Sequence, residues 1–294
     1  MRPKRFLSLP VLAVLLLMMF VYYTTIFVFI DGSFDLQSSN GTFNAAIFTI
    51  LASFSVFSFF VCVLSDPGHV PSSYVPDVEG QGSAKDNAER KKCDKCYGYK
   101  PPRTHHCRVC KKCVLKMDHH CLWINNCVGY WNYKAFFVFT SYATLASIHS
   151  MILFICSVFL MDIGSSSKMF YPVWISVACV ACVTLYVFFS RNCGVCSEVM
   201  YGTMAIGLTT TLLTLFGWHV YLTLHNMTTI EYYEGKRAKW LAMKSGQSYR
   251  HPFNISPYKN ITSVLGPNIL KWLCPTAVSH LKEGVSFPTL RDSS

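Results

Sequence analysis

Seven cysteines and four histidines fall within 35 residues between Cys93 and Cys127, in the run CDKCYGYKPPRTHHCRVCKKCVLKMDHHCLWINNC. Zinc takes four Cys or His ligands in a tetrahedron. Cys93-x-x-Cys96 is one chelating pair, and Cys107-x-x-Cys110-x-x-Cys113 supplies more. Two sites of four ligands would leave one cysteine and two histidines over. That spare cysteine is best sought in Asp118-His119-His120-Cys121, where histidines and a carboxylate crowd it. A thiolate is the reactive form of cysteine, and a neighbouring histidine takes its proton. An aspartate fixes the tautomer of that imidazole and stabilises its cation. The residues therefore suggest scaffold metal plus one activated nucleophile. Three blander readings compete: a purely structural zinc knuckle, a disulfide cluster and a nucleic-acid-binding knuckle. Disulfides are rare on the cytosolic side of membranes, and apolar segments on both sides of the run argue against nucleic acid.

The full spacing, C-x2-C-x9-H-C-x2-C-x2-C-x4-D-H-H-C-x5-C, resembles the cysteine-rich domain of the DHHC protein S-acyltransferases, the palmitoyltransferases, at every position. The resemblance implies two interleaved structural zinc ions. One would be held by Cys93, Cys96, His106 and Cys113, the other by Cys107, Cys110, His120 and Cys127. It implies Cys121 as nucleophile, His119 as base and then acid, and Asp118 as its orienting carboxylate. Asn132 and Phe136 fit the family's closing N-x3-F pattern. Lys100, Arg103 and His105 match positions on the coenzyme A side, and Trp123 and Phe136 match lining positions for the acyl chain. Asp66 lies in a DPG motif, Thr229 and Glu231 in a TTxE motif, and Asn260 in a C-terminal element; their implied role is structural support. Leu122 stands where proline is frequent after the nucleophile, and Ser256 where glycine is usual.

These residues need a membrane scaffold. The chain has 294 residues, 52% hydrophobic and 14% charged, with a net charge of +11. That is the balance of a membrane protein. Residues 7–30 and 44–64 are apolar runs long enough to cross a bilayer, which needs about 20 residues. Residues 135–161 and 205–224 are two more. The fold expected is an α-helical polytopic membrane protein: a four-helix core with the cysteine-rich domain (91–134) in a cytosolic loop (65–134) between the second and third helices. Residues 1–6 form a basic cytosolic N-terminus, 31–43 a lumenal loop and 225–294 a cytosolic tail. Residues 65–134 hold twelve Lys or Arg, and the tail nine against four acidic residues, so the positive-inside rule puts both in the cytosol. Residues 162–204 are an apolar insertion, lumenal or re-entrant, because a fifth crossing would put the tail outside. Cys193-x-x-Cys196 within it is a weak metal signal.

The expected function is transfer of a palmitoyl or other long-chain acyl group from acyl-CoA to cysteines of membrane-associated proteins, through a thioester on Cys121. The alternative is an inactive, membrane-anchored zinc scaffold, for which Cys121 would be dispensable. A metal transporter would need ionisable residues inside its spans; these runs carry only the isolated His149 and His219. The expected partners are the bilayer, acyl-CoA and substrates with cytosolic cysteines, without nucleic acid. The expected compartment is the Golgi, with endoplasmic reticulum and plasma membrane as alternatives.

Overall fold

The computed structural model describes residues 8–76, 92–164 and 194–290. Among these, four helical spans are long and apolar enough to cross a membrane: Leu9–Phe34, Ser39–Leu64, Tyr133–Val158 and Met200–Leu224. Two precede the cysteine-rich domain and two follow it. The first span is built from α1 (Leu9–Tyr23), a π-helical stretch (Thr24–Ile30) and α2 (Asp31–Phe34). Pro10 lies in its first turn, where a missing N–H costs no hydrogen bond. Thr24 and Thr25 both donate their hydroxyls to the carbonyl of Val21, at 3.1 and 2.7 Å. Such side-chain competition for backbone carbonyls loosens the helical ladder where it widens.

The second span, α3 (Ser39–Leu64), begins earlier than the apolar run suggests. Ser38 accepts from the amide of Gly41 at 3.0 Å, and its carbonyl accepts from Thr42 at 2.9 Å. The polar residues expected in a loop over 31–43 therefore close the ends of two helices, and the connection shrinks to residues 35–38. The third and fourth spans lie in α4 (Tyr133–Gly164) and α5 (Gly194–Leu224). Residues 194–204, expected in the insertion, extend the helix that was expected to begin at 205. The apolar run Phe170–Ser190 and Cys193 lie outside the described residues.

The chain divides into two compact units. One comprises Leu15–Val56 and Thr140–Phe216. Its core gathers Ile26, Phe29, Ile30, Phe48, Ala146 and Leu153. Hydroxyls tie its helices together: Thr25 to Ser150 at 2.7 Å, and Tyr22 to Thr49 at 3.1 Å. Between apolar helices in lipid, such bonds and close packing replace the hydrophobic effect. Gly202 lets α4 and α5 approach closely, since a Cβ there would meet the ring of Phe154.

The other unit comprises Met1–Val14, Phe57–Phe139 and Gly217–Ser294. It contains two antiparallel hairpins, β1 (His105–Cys107) with β2 (Lys112–Val114), and β3 (His119–Cys121) with β4 (Asn126–Val128). Two further helices follow α5: α6 (Thr229–Lys244) and α7 (Pro257–Leu265). Thr228 caps α6 through a capping box with Glu231, which satisfies two otherwise orphaned amides. Ser256 caps α7, accepting from Lys259 at 3.4 Å, ahead of Pro257 at the first helical position. The serine that replaces the family's usual glycine thus serves as a helix cap.

Candidate functional site

The hairpins sort the ligands. Successive strand side chains point to opposite faces. His106 and Cys107 are neighbours on β1 and therefore face opposite ways, so each joins a different metal group. His106 lies across from Cys113, and His120 across from Cys127. The structure brings together Cys93, Cys96, His106 and Cys113 in one group, and Cys107, Cys110, His120 and Cys127 in a second; within each, one ligand atom per residue lies within 4.8 Å of the others. The Nδ1 of His106 is 3.5, 3.3 and 3.9 Å from the sulfurs of Cys93, Cys96 and Cys113. The Nδ1 of His120 is 3.6, 3.5 and 3.6 Å from those of Cys107, Cys110 and Cys127. A zinc tetrahedron with Zn–S near 2.3 Å and Zn–N near 2.05 Å has an S···N edge of about 3.6 Å. Both groups fit zinc, and both would be closed by protein.

The same alternation acts on β3. His120 turns toward its metal group, while His119 and Cys121 share the other face. His119 donates from Nδ1 to Asp118 Oδ2 at 2.6 Å. Asp118 is fully buried. It also accepts from the Thr229 amide at 2.8 Å and the Thr229 hydroxyl at 2.9 Å. Burial pushes the Asp118 carboxyl up, but the His119 bond and charge and the Thr229 amide outweigh it, leaving the group below its ordinary value. Burial pushes His119 down, yet hydrogen bonds to Asp118 and to the side chain of Cys121 win and hold it at about 9. Cys121 itself is buried. A carboxylate, an imidazole and a thiol are therefore in series, with the imidazole favouring its cation. A thiolate is the attacking form, and an imidazolium beside it is its natural counter-ion.

The residues matched to an acyl lining differ in setting. Phe136 is buried, with its ring edge-on to His119 at 5.3 Å between centroids. Trp123 is 59% exposed. On the coenzyme A side, Arg103 takes part in a buried ion pair. Arg103 is buried and forks onto Glu231, with Nε to Oε1 at 2.6 Å and Nη2 to Oε2 at 2.7 Å. It also donates to Asn226 Oδ1 at 3.1 Å and to the Asn226 carbonyl at 2.8 Å. Phe253 and Phe287 lie against the guanidinium at 4.4 and 5.0 Å. Four of its five N–H donors are thus engaged, and the carboxylate of Glu231, itself fixed by the capping box, holds the guanidinium as a buried ion pair. Lys100 and His105 are half-buried. His105 opens on a cleft of about 290 Å³ shared with Thr104, Glu234, Tyr249 and His251, and burial pushes its imidazole down.

The supporting residues act through specific bonds. Asp66 accepts from the Gly68 amide at 2.8 Å, shaping the turn after α3. Gly129 packs there, because a Cβ would meet the Pro67 carbonyl and Val114 at 2.6 Å. Asn260 donates to the Leu224 carbonyl at 2.7 Å and so ties α7 to the end of α5. Sequence reasoning missed three buried residues. Asn126 donates to the carbonyls of Cys62 and Ser65, closing the end of α3. Lys134 extends its ammonium to the carbonyls of Leu265, Lys271 and Ala277 at 2.7, 2.9 and 2.8 Å. His219, 1% exposed, stands beside the Asp118–His119 pair. Its position in an apolar run was the available signal.

Comparison with known proteins agrees with this geometry. Residues 86–236 match the family model described as DHHC palmitoyltransferase. Probable protein S-acyltransferase 15 of Arabidopsis thaliana is 55% identical over 275 residues, covering 93% of this chain and 99% of the relative. Probable protein S-acyltransferase 16 of the same plant is 46% identical over 97% of this chain and 94% of its own length. Palmitoyltransferase ZDHHC3 of Rattus norvegicus is 30% identical over 81% of this chain and 75% of its own. With the motif, both metal groups and matches over nearly its whole length, this chain belongs to the DHHC palmitoyltransferase family.

Proposed function

We propose that the protein is a protein S-acyltransferase, moving a long-chain acyl group from acyl-CoA to cysteine thiols through a thioester on Cys121. The observation that carries this reading is the series Asp118, His119, Cys121 on the face of β3 opposite the metal ligand His120. In the first half-reaction the Cys121 sulfur bonds to the thioester carbonyl carbon, and the carbon–sulfur bond to coenzyme A breaks. His119 holds the proton from Cys121 and gives it to the departing coenzyme A sulfur. In the second, a substrate thiol gives its proton to His119 and takes the acyl group, and Cys121 is regenerated. Thioester replaces thioester, so the reaction is nearly isoenergetic and the site must supply positioning. Asp118 keeps the imidazole oriented and stabilises its cation.

Zinc supplies structure here: it would fix the two hairpins that present β3, and both shells are filled by protein ligands. A palmitoyl chain buried among the spans would gain about 0.8 kcal/mol per methylene relative to water. Phe136 and Trp123 flank the nucleophile on the side such a chain would take. Lys100 and His105 serve as contacts for the coenzyme A phosphates. The loop of residues 65–134 and the tail lie in the cytosol, by their excess of Lys and Arg, and the Golgi is the compartment we assign. Purified wild type and Cys121→Ser, incubated with a clickable palmitoyl-CoA analogue, test this. Label on wild type that neutral hydroxylamine removes, absent from the variant, supports it. A folded, zinc-loaded wild type that takes no label contradicts it and favours the scaffold reading.

A further inference from the structure

An ionisable side chain inside a membrane-spanning helix is expensive and is kept for an interaction. His219 is such a residue: it lies in the last span, ten residues before Thr229, and is 1% exposed. Its Nδ1 is hydrogen-bonded to the hydroxyl of Tyr133, 3.1 Å away, at the start of α4. One of its ring nitrogens lies within 4.8 Å of both an Asp118 oxygen and a His119 nitrogen. The rings of His219, Phe136 and His119 close a triangle. His219 meets Phe136 edge-on at 5.0 Å, Phe136 meets His119 edge-on at 5.3 Å, and the two imidazoles are 6.0 Å apart.

His119 has one nitrogen committed to Asp118 and must keep its ring aligned with Cys121. Asp118 is held on one side by Thr229. Asp118 holds one nitrogen of the His119 ring; His219, itself fixed by its bond to Tyr133, and Phe136 border the rest of that ring. We propose that His219 is a positioning residue for acyl transfer. Locked by Tyr133, it forms with Phe136 a dry wall that fixes the His119 imidazole between Asp118 and Cys121. A displacement near 1 Å at a reacting group costs about 10²-fold in rate, so loss of the wall should be read in turnover rather than in acyl-CoA binding.

The inference rests on the reading of Cys121 as nucleophile, and the test separates the two. Cys121 acylation is timed in purified, zinc-loaded wild type, His219→Phe, His219→Asn, Tyr133→Phe and the double variant His219→Phe/Tyr133→Phe. His219→Phe keeps a ring but loses the nitrogen; the Asn oxygen stands close to where Nδ1 stood and still accepts from Tyr133. We expect His219→Phe to lower kcat at least tenfold (about 10-fold or more) with KM for palmitoyl-CoA and zinc content unchanged. His219→Asn should recover much of the loss, and the double variant should be no worse than His219→Phe, because the two residues act as one unit. Should His219→Phe fail to fold, His219→Asn and Tyr133→Phe carry the same comparison. Wild-type kcat in His219→Phe, an Asn variant no better than Phe, or a change in KM alone would overturn the proposal. An unlabelled wild type would overturn the nucleophile assignment first, and this inference with it.

Discussion

Asp118 carries more hydrogen bonds than a carboxylate needs in order to orient one imidazole. It accepts from His119, from the Thr229 amide and from the Thr229 hydroxyl, all within 2.9 Å. Those bonds keep a fully buried carboxylate ionised against the cost of burial. Thr229→Val removes only the hydroxyl bond and leaves the amide in place. Bonds to charged groups are worth about 1.5–3 kcal/mol, so Cys121 acylation should slow by roughly ten- to a hundredfold, with both zinc ions retained. Rapid-quench acylation and zinc analysis of the purified variant check this; unchanged acylation would show that the hydroxyl is idle. At this scale the sequence was informative about identity and poor about partners. Type and spacing offered eleven candidate ligands and pointed to Cys121 beside a carboxylate and histidines; which eight would hold metal came from the family resemblance. His219 was not legible, because a lone histidine in an apolar run carries no spacing, and its neighbour Tyr133 lies 86 positions away. The partner of Arg103 was hidden for a related reason: Glu231 lies 128 positions away.

At the scale of elements, the two hairpins explain an arrangement that spacing alone left open. Adjacent residues His106 and Cys107, and again His120 and Cys121, must point to opposite faces of their strands. The first pair divides between two metal groups; the second divides metal from nucleophile. Helix α6 contributes its first turn in three ways. Thr228 caps it, Thr229 holds Asp118, and Glu231 both closes the capping box and receives Arg103. The TTxE motif, expected as a structural support packed against the catalytic region, does so by bonding the Asp118 carboxylate directly. Breaking a buried ion pair by removing one partner costs about 3–5 kcal/mol, because the other charge is left unpaired. Arg103→Ala should therefore lower the thermal midpoint of the detergent-solubilised protein sharply. Arg103→Ala combined with Glu231→Gln should recover part of that loss. If the double variant melts lower than the single one, the pair is not what couples α6 to the cysteine-rich domain. The helix boundaries were less legible than the motif: polar residues such as Ser38 and Ser39 read as loop, and only their backbone bonds reveal them as helix ends.

For the whole molecule, the spans among the described residues fall two before and two after the cysteine-rich domain. Apolar length alone offers five runs; the expectation of four crossings came from the charge of the tail, and the fifth run, Phe170–Ser190, lies outside the described residues. Orientation rests on charge. In the orientation we propose, the basic loop and tail put the site and the tail in the cytosol. The sequons Asn226-Met227-Thr228, Asn254-Ile255-Ser256 and Asn260-Ile261-Thr262 should stay unglycosylated if the tail is cytosolic. A C-terminal epitope gives a second readout. In sealed vesicles with the cytosolic face outward, added protease should remove it, and protection of the epitope would place an odd number of crossings after the loop.

The central claim is that one strand separates metal from chemistry: His120 faces zinc while Cys121 faces the acyl donor. Native mass spectrometry of the intact protein after incubation with palmitoyl-CoA measures both at once. Wild type should carry two zinc ions and one acyl group. Cys121→Ser should carry two zinc ions and no acyl group, and Cys96→Ser should lose one zinc and unfold in part, since structural zinc is coupled to folding. An acyl adduct persisting on Cys121→Ser, or a zinc ion lost from it, would contradict the account.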